Sequence, residues 1–215
     1  MRMRRKLDTF IGQTKNIPTN YTECEYLESN GQQYLNTEHL VSSSCRLSVT
    51  AEIVRNINAF TCIFAARGLD NNSTDSYQLF DATLSTALGL ILRPYQTTNW
   101  IKPAPTEKIQ IEFTDTAILI DGVQRYRRNS ADVTPTDPLA LFANYNGNNK
   151  GFVRIYSCVV TDEHASMNLI PCLDENKRPC MYDLVSGRAM YNTASANKEF
   201  GYKIKATGEM VAPEV

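Results

Sequence analysis

The 215 residues predict an all-β fold, an antiparallel sandwich or barrel built from many short strands. Three observations carry this expectation. Several short windows alternate polar and apolar side chains with period two, the pattern of a half-buried strand. Clusters of Asn, Asp, Gly and Pro separate those windows, and such residues tolerate left-handed backbone and cap their own turns. No window offers an amphipathic helix with caps at both ends. Roughly a dozen strands suit a large sandwich better than a small immunoglobulin-like one. No internal repeat of about 20–50 residues is present, which disfavours a propeller or solenoid.

Taken in order, RLSVTAEIV over Arg46–Val54 alternates and is rich in β-branched side chains. YQLFD over Tyr77–Asp81 repeats the pattern more briefly, and LGLILR over Leu88–Arg93 is a short apolar run. KIQIEF over Lys108–Phe113 places Ile109, Ile111 and Phe113 on one face. AILI over Ala117–Ile120 is joined by Asp121-Gly122 to Val123–Tyr126, the signature of a two-residue type I′ hairpin. LALFA over Leu139–Ala143 and FVRIYSCVV over Phe152–Val160 complete the strand windows. TDEHASM over Thr161–Met167 reads as one short helical turn. Residues 1–20 read as a basic extended arm, 21–203 as the sandwich, and 204–215 as a tail.

Composition narrows the setting. Lys and Arg number 22 against 23 Asp and Glu, so the chain lacks the concentrated positive field of a whole-domain nucleic-acid binder. An apolar content of 42% with a formal charge of −1 argues against bulk disorder. The basic start has no apolar stretch behind it, so no secretory signal is expected, and no window approaches the roughly 18 apolar residues of a membrane span. Folding in a cytoplasm is the expectation. The six cysteines, Cys24, Cys45, Cys62, Cys158, Cys172 and Cys180, contain no CxxC pair. They are expected to be reduced, buried small hydrophobes. Cys172 and Cys180 flank the turn LDENKRP and are placed to meet across a hairpin, reduced.

Two segments carry a resemblance. One is CEYLESNGQQYLNT over Cys24–Thr37. The other runs from RIYS at Arg154–Ser157 through NLIPC at Asn168–Cys172 to MYDLVSG at Met181–Gly187. Both resemble concanavalin A-like (laminin G-type) domains of bacteriophage and gut-bacterial proteins. The resemblance implies a two-sheet jelly roll in which first and last strands pair near one edge, with Tyr26, Leu27, Tyr34 and Leu35 supplying apolar area. It implies fold before function, because this sandwich hosts lectins, glucanases and structural modules alike.

Candidate chemistry is sparse. A retaining glycosidase needs two carboxyl groups about 5–5.5 Å apart, and the ExDxxE strand motif of the related glucanases does not occur. Glu23, Glu25 and Glu28, and the pair Asp174 and Glu175, read as solvated strand edges or turns. His39, beside Glu38, and His164 stand in no nucleophile motif. For glycan contact, the candidates are Trp100 with Tyr95 for ring stacking, Asp70, Asn72 and Asp75 as oxygen donors, and Tyr145, Asn146 and Asn148 in a second loop. The first loop's oxygen-rich set would also suit calcium, although no cofactor is expected. Arg2, Arg4, Arg5 and Lys6 are candidate anchoring residues. Arg125, Arg127 and Arg128 form a second basic cluster at a strand end.

The expectation is therefore a non-enzymatic bacteriophage virion protein. It would be a capsid decoration, head fibre or tail module, made in the host cytoplasm and held on the particle by its arm. Its partners would be other virion proteins, further copies of itself and host-surface glycans, with no nucleic acid and no membrane span. A free lectin-like protein is the alternative, and a glycan hydrolase the third reading.

Overall fold

The computed structural model describes residues 15–42, 44–54, 61–67, 76–81, 90–93, 107–127, 135–144, 147, 150–163, 166–194 and 198–215. Among them the chain is all-β, with no helix. In chain order the strands are β1 (Thr22–Asn30), β2 (Leu35–Asn36), β3 (Arg46–Ile53), β4 (Thr61–Arg67), β5 (Ser76–Asp81), β6 (Leu90–Arg93), β7 (Lys108–Phe113) and β8 (Ala117–Ile120). There follow β9 (Val123–Arg127), β10 (Ala140–Leu141), β11 (Phe152–Thr161), β12 (Ser166–Leu173), β13 (Pro179–Asp183), β14 (Ala189–Met190), β15 (Gly201–Ile204) and β16 (Met210–Val211).

These strands make a large antiparallel sheet and a small one. The large sheet runs β14-β13-β12-β1-β11-β3-β7-β8-β9, with β15 on the far side of β1 and β16 beyond it. The small sheet runs β2-β10-β4-β5-β6. Period-two patterning sets which face of the large sheet is buried. Leu27, Ile155, Ala51 and Ile109 stand in register across β1, β11, β3 and β7, and all four are buried. Cys158, Val49 and Ile111 form the next apolar row, then Val160, Leu47 and Phe113. The small sheet closes this face with Leu35, Ile63, Phe64, Ala66 and Leu141 in the same core. Phe64 meets Phe113 edge-on at 5.6 Å between ring centres, tying one sheet to the other.

Several expectations hold. Asp121 and Gly122 both adopt positive φ, 52° and 74°, and join β8 to β9, as a type I′ hairpin requires. All six cysteines are buried and unbridged. Among the described residues, no helix is long and apolar enough to cross a membrane.

Other details differ. Thr161 ends β11 and pairs directly with Ser166 at the start of β12, so the flanking strands override the short helical turn expected over 161–167. β1 pairs with β15, the last strand but one, and it lies inside the sheet, flanked by β11, β12 and β15, instead of near one edge. Residues 15–20 of the basic leader are docked. Lys15 donates its backbone N–H to Leu184 O at 2.5 Å, and its ammonium donates to Ser186 O at 2.6 Å. Residues 204–215 are woven into the sheet: β16 pairs with β15, and the Glu214 carbonyl accepts from Asn30 and Gln33.

Candidate functional site

All the residues expected to contact glycan, Trp100, Tyr95, Asp70, Asn72, Asp75, Tyr145, Asn146 and Asn148, lie outside the described residues. The anchoring candidates Arg2, Arg4, Arg5 and Lys6 lie outside them too, as does His164. His39 is placed beside Asp162, Nε2 to Oδ2 at 3.8 Å, and the same oxygen accepts the Ser42 backbone N–H at 2.6 Å. The second basic cluster is shown in part: Arg125 and Arg127 are exposed on β9, and Arg128 is outside the described residues.

The two resemblance segments work as structural staples. In the first, Gly31 turns the chain at φ 86°, and a Cβ there would stand 2.7 Å from the Phe152 ring. Ser29 Oγ donates to Gln33 O at 3.0 Å. The buried Gln33 amide donates to the carbonyls of Glu199, at 3.1 Å, and Glu214, at 3.0 Å, which fastens the C-terminal segment. In the second, buried Asp183 accepts the backbone N–H groups of Asn168, Val185 and Ser186 at 2.9–3.1 Å. Buried polar groups need such partners, and here they are the recognisable letters of both motifs.

Polar chemistry gathers on the outer face of the large sheet. The register sets Glu28, Arg154, Glu52 and Lys108 in one row across β1, β11, β3 and β7. Arg154 donates to Glu28 Oε2 at 2.6 Å and to Glu52 Oε1 at 3.1 Å. Its guanidinium also covers the Tyr26 ring, 4.5 Å from the ring centre. Tyr156 donates its hydroxyl to Glu52 Oε2 at 2.5 Å, meets the Tyr26 ring edge-on at 5.4 Å, and carries the Lys108 ammonium 3.7 Å from its ring centre. Beside the row, Lys203 pairs with Glu25 at 2.7 Å and Lys205 with Glu23 at 2.6 Å.

Next to this row the sheet forks. β11 pairs with β1 through Phe152–Ile155 and with β12 through Cys158–Thr161, with a bulge at Tyr156 where it changes partner. β12 rejoins β1 only at Cys172 and Leu173. Between these points sits Pro171, which has no N–H to donate and cannot continue a ladder. An open cleft of about 300 Å³ lies over the fork, lined by Glu23, Glu25, Lys108, Tyr156, Pro171 and Lys205 among others.

Electrostatics decide what this face can do. The Lys203 ammonium holds the Glu25 carboxyl below the usual carboxylate range. Burial opposes the charge on Arg154, but its bond to Glu28 and the nearby carboxylates outweigh that and raise its pKa. Burial first, and then the bond to Glu52, push the Tyr156 phenol well above its ordinary value. Glu28 and Glu52 share Arg154, and Glu25 and Glu23 each pair with a lysine. Among the described residues, no group of three or more His, Cys, Asp or Glu side chains could hold a metal ion.

Sequence reasoning missed Arg154, Tyr156, Glu52 and Lys108 as a group. Each occupies the polar face of a recognised strand window, but only the cross-strand register brings them together. In comparisons with known proteins, no family model and no curated protein matches this chain.

Proposed function

We propose that this chain is a non-enzymatic bacteriophage virion protein, a concanavalin A-like jelly-roll module that is anchored by its basic leader and contacts host-surface glycans. The observation that carries the glycan part is the cleft at the sheet fork. It offers one aromatic wall in Tyr156, hydroxyls from Thr50 and Ser157, and acids and lysines at its rim. That mixture suits a neutral polyhydroxylated ligand, which can exchange hydrogen bonds with both signs of charge and lay an apolar ring face on Tyr156 once the Lys108 ammonium over that ring swings aside. The virion setting rests on the two resemblance segments, which fold onto one another through β1, β11, β12 and β13. The leader enters beside Ser186 and Gly187, leaving its basic residues upstream of the docked Lys15.

The test has two arms. A glycan array on the purified protein should show saturable binding that Tyr156→Ala abolishes without changing the fold. Silence on the array removes the glycan contact and leaves a structural module. Phage particles purified from lysate should contain the chain, and a chain lacking residues 1–14 should fold yet be missing from them. Glycan binding by a chain never found in particles would make it a free lectin. Hydrolysis of a β-glucan, lost on replacing one carboxylate, would overturn the non-enzymatic reading.

A further inference from the structure

Cys172 and Cys180 stand directly opposite each other across the β12–β13 hairpin, both fully buried and both free. The turn fixes the phase of this ladder. Asp174 donates its N–H to Arg178 O at 3.0 Å, which makes that pair hydrogen-bonded. Alternation then puts Leu173–Pro179 and Pro171–Met181 at non-bonded sites of this ladder, where a proline costs nothing, and Cys172–Cys180 at a bonded one. Opposed residues at a bonded site have Cα atoms about 5.5 Å apart, inside the Cα range of a disulfide, but their Cβ atoms stand wider than a relaxed disulfide allows, so closure strains the hairpin and leaves the bond easily reduced.

The surroundings separate this pair from the other thiols. Cys172, Cys180 and Tyr182 form a small cluster apart from the main core, covered by Ile17, Tyr21 and Tyr191 among others. Tyr21 meets the Tyr182 ring edge-on at 5.3 Å. The covering segment is held by long-range bonds that include two from Lys15, one from Asn20 to Glu175 at 2.7 Å, and one between the Tyr21 and Tyr191 hydroxyls. Its lifting would leave the main core closed, because Ile17 and Tyr21 pack on this cluster and not on that core. Cys45 and Cys158 are enclosed in the main core.

We infer that Cys172 and Cys180 are a reversible oxidation site, which closes to a cross-strand disulfide when a small-molecule disulfide reaches it beneath the lifted leader. One thiol loses its proton and attacks the small disulfide, releasing one small thiol and leaving a mixed disulfide. The second then attacks the protein sulfur of that adduct and releases the second small thiol. Two protein thiols and one small disulfide thus become one protein disulfide and two small thiols. Burial holds the closed pair protonated, pushing Cys172 up to about 12 and Cys180 higher still, so attack waits for the cover to open. The loop it closes is short, so the bond adds less chain-entropy stabilisation than one that closes a long loop. That favours a reversible bond over a permanent staple. A third buried thiol, Cys24, acts electrostatically on both and is the competing partner.

The experiment treats the native full-length protein with oxidised glutathione, blocks remaining thiols, and maps the peptides by mass. The expected product is a Cys172–Cys180 link, two hydrogen atoms lighter, with Cys45, Cys62 and Cys158 still reduced. Ile17→Ala should speed its formation by about tenfold or more, because it loosens the cover. Cys180→Ser should stop at the Cys172–glutathione adduct. The inference falls if Cys24–Cys172 is the main link, if all six thiols react together at the rate of global unfolding, or if no link forms. None of these outcomes bears on glycan or particle binding.

Discussion

Asp183 shows at one residue why the closing segment reads as it does. Three backbone N–H groups converge on a carboxylate that is almost wholly buried. Asp183→Ala leaves those donors without their charged acceptor and should cost about 2–4 kcal/mol, read as a lower denaturant midpoint at unchanged slope. Asp174 gives the complementary pH prediction. Burial alone would raise its pKa, but the N–H groups of Arg178 and Asn176 and the Tyr191 hydroxyl prevail and lower it. A carboxyl with a depressed folded pKa stabilises above its unfolded value and loses that contribution as pH falls through the folded one. Stability should therefore drop on the acid side of about pH 4. Asp174→Asn should be less stable at neutral pH and should show a shallower acid limb in thermal melts across pH. Neither carboxylate was legible as a staple: Asp174 read as a solvated strand edge or turn and Asp183 only as one letter of the closing segment, because the sequence does not say which backbone groups a turn leaves unpaired.

Individual strands were legible in proportion to their alternation. β3 and β7 alternate cleanly and were recognised, as was the Asp121-Gly122 hairpin, because one face is apolar and the other wet. β4 was missed. Its Cys62–Ala66 stretch is buried throughout and has no alternation to read, and, unlike the equally apolar runs at Leu88–Arg93 and Leu139–Ala143, it was not singled out. It is nonetheless the central strand of the small sheet, and Phe64 reaches the Phe113 ring across the core. Phe64→Ala should cost about 3–5 kcal/mol, the penalty for a large buried aromatic whose cavity cannot collapse. Leu35→Ala on the two-residue β2, removing a smaller group from the same core, should cost less, about 2–4 kcal/mol. Equal losses in chemical denaturation would mean that β4 does not organise the small sheet. The row on the outer face fails to announce itself for a related reason: four ordinary polar positions become one network only after register is set.

For the whole molecule, the resemblance segments hold chain ends that are distant in sequence. Gln33 in the opening segment binds the carbonyls of Glu199 and Glu214, and the closing hairpin receives Lys15 at Leu184 and Ser186. The C-terminal segment is thus built into the large sheet, and on the other side Lys15, where the described residues begin, is docked on the closing hairpin. Removing residues 1–14 should leave the melting temperature within about 1–2 °C of the full chain, since every contact described above is retained. Removing residues 1–21 strips Ile17 and Tyr21 from the Cys172–Cys180–Tyr182 cluster and takes away the bonds from Lys15 and Asn20. Exposing that apolar cluster at roughly 25 cal/mol per Å² should lower stability by about 2–3 kcal/mol, several degrees in a melt. If both truncations melt alike, the docked stretch adds nothing to the domain and the closing hairpin holds its shape unaided. If the shorter truncation already melts low, residues 1–14 are part of the folded unit, and a leader that only attaches is the wrong description.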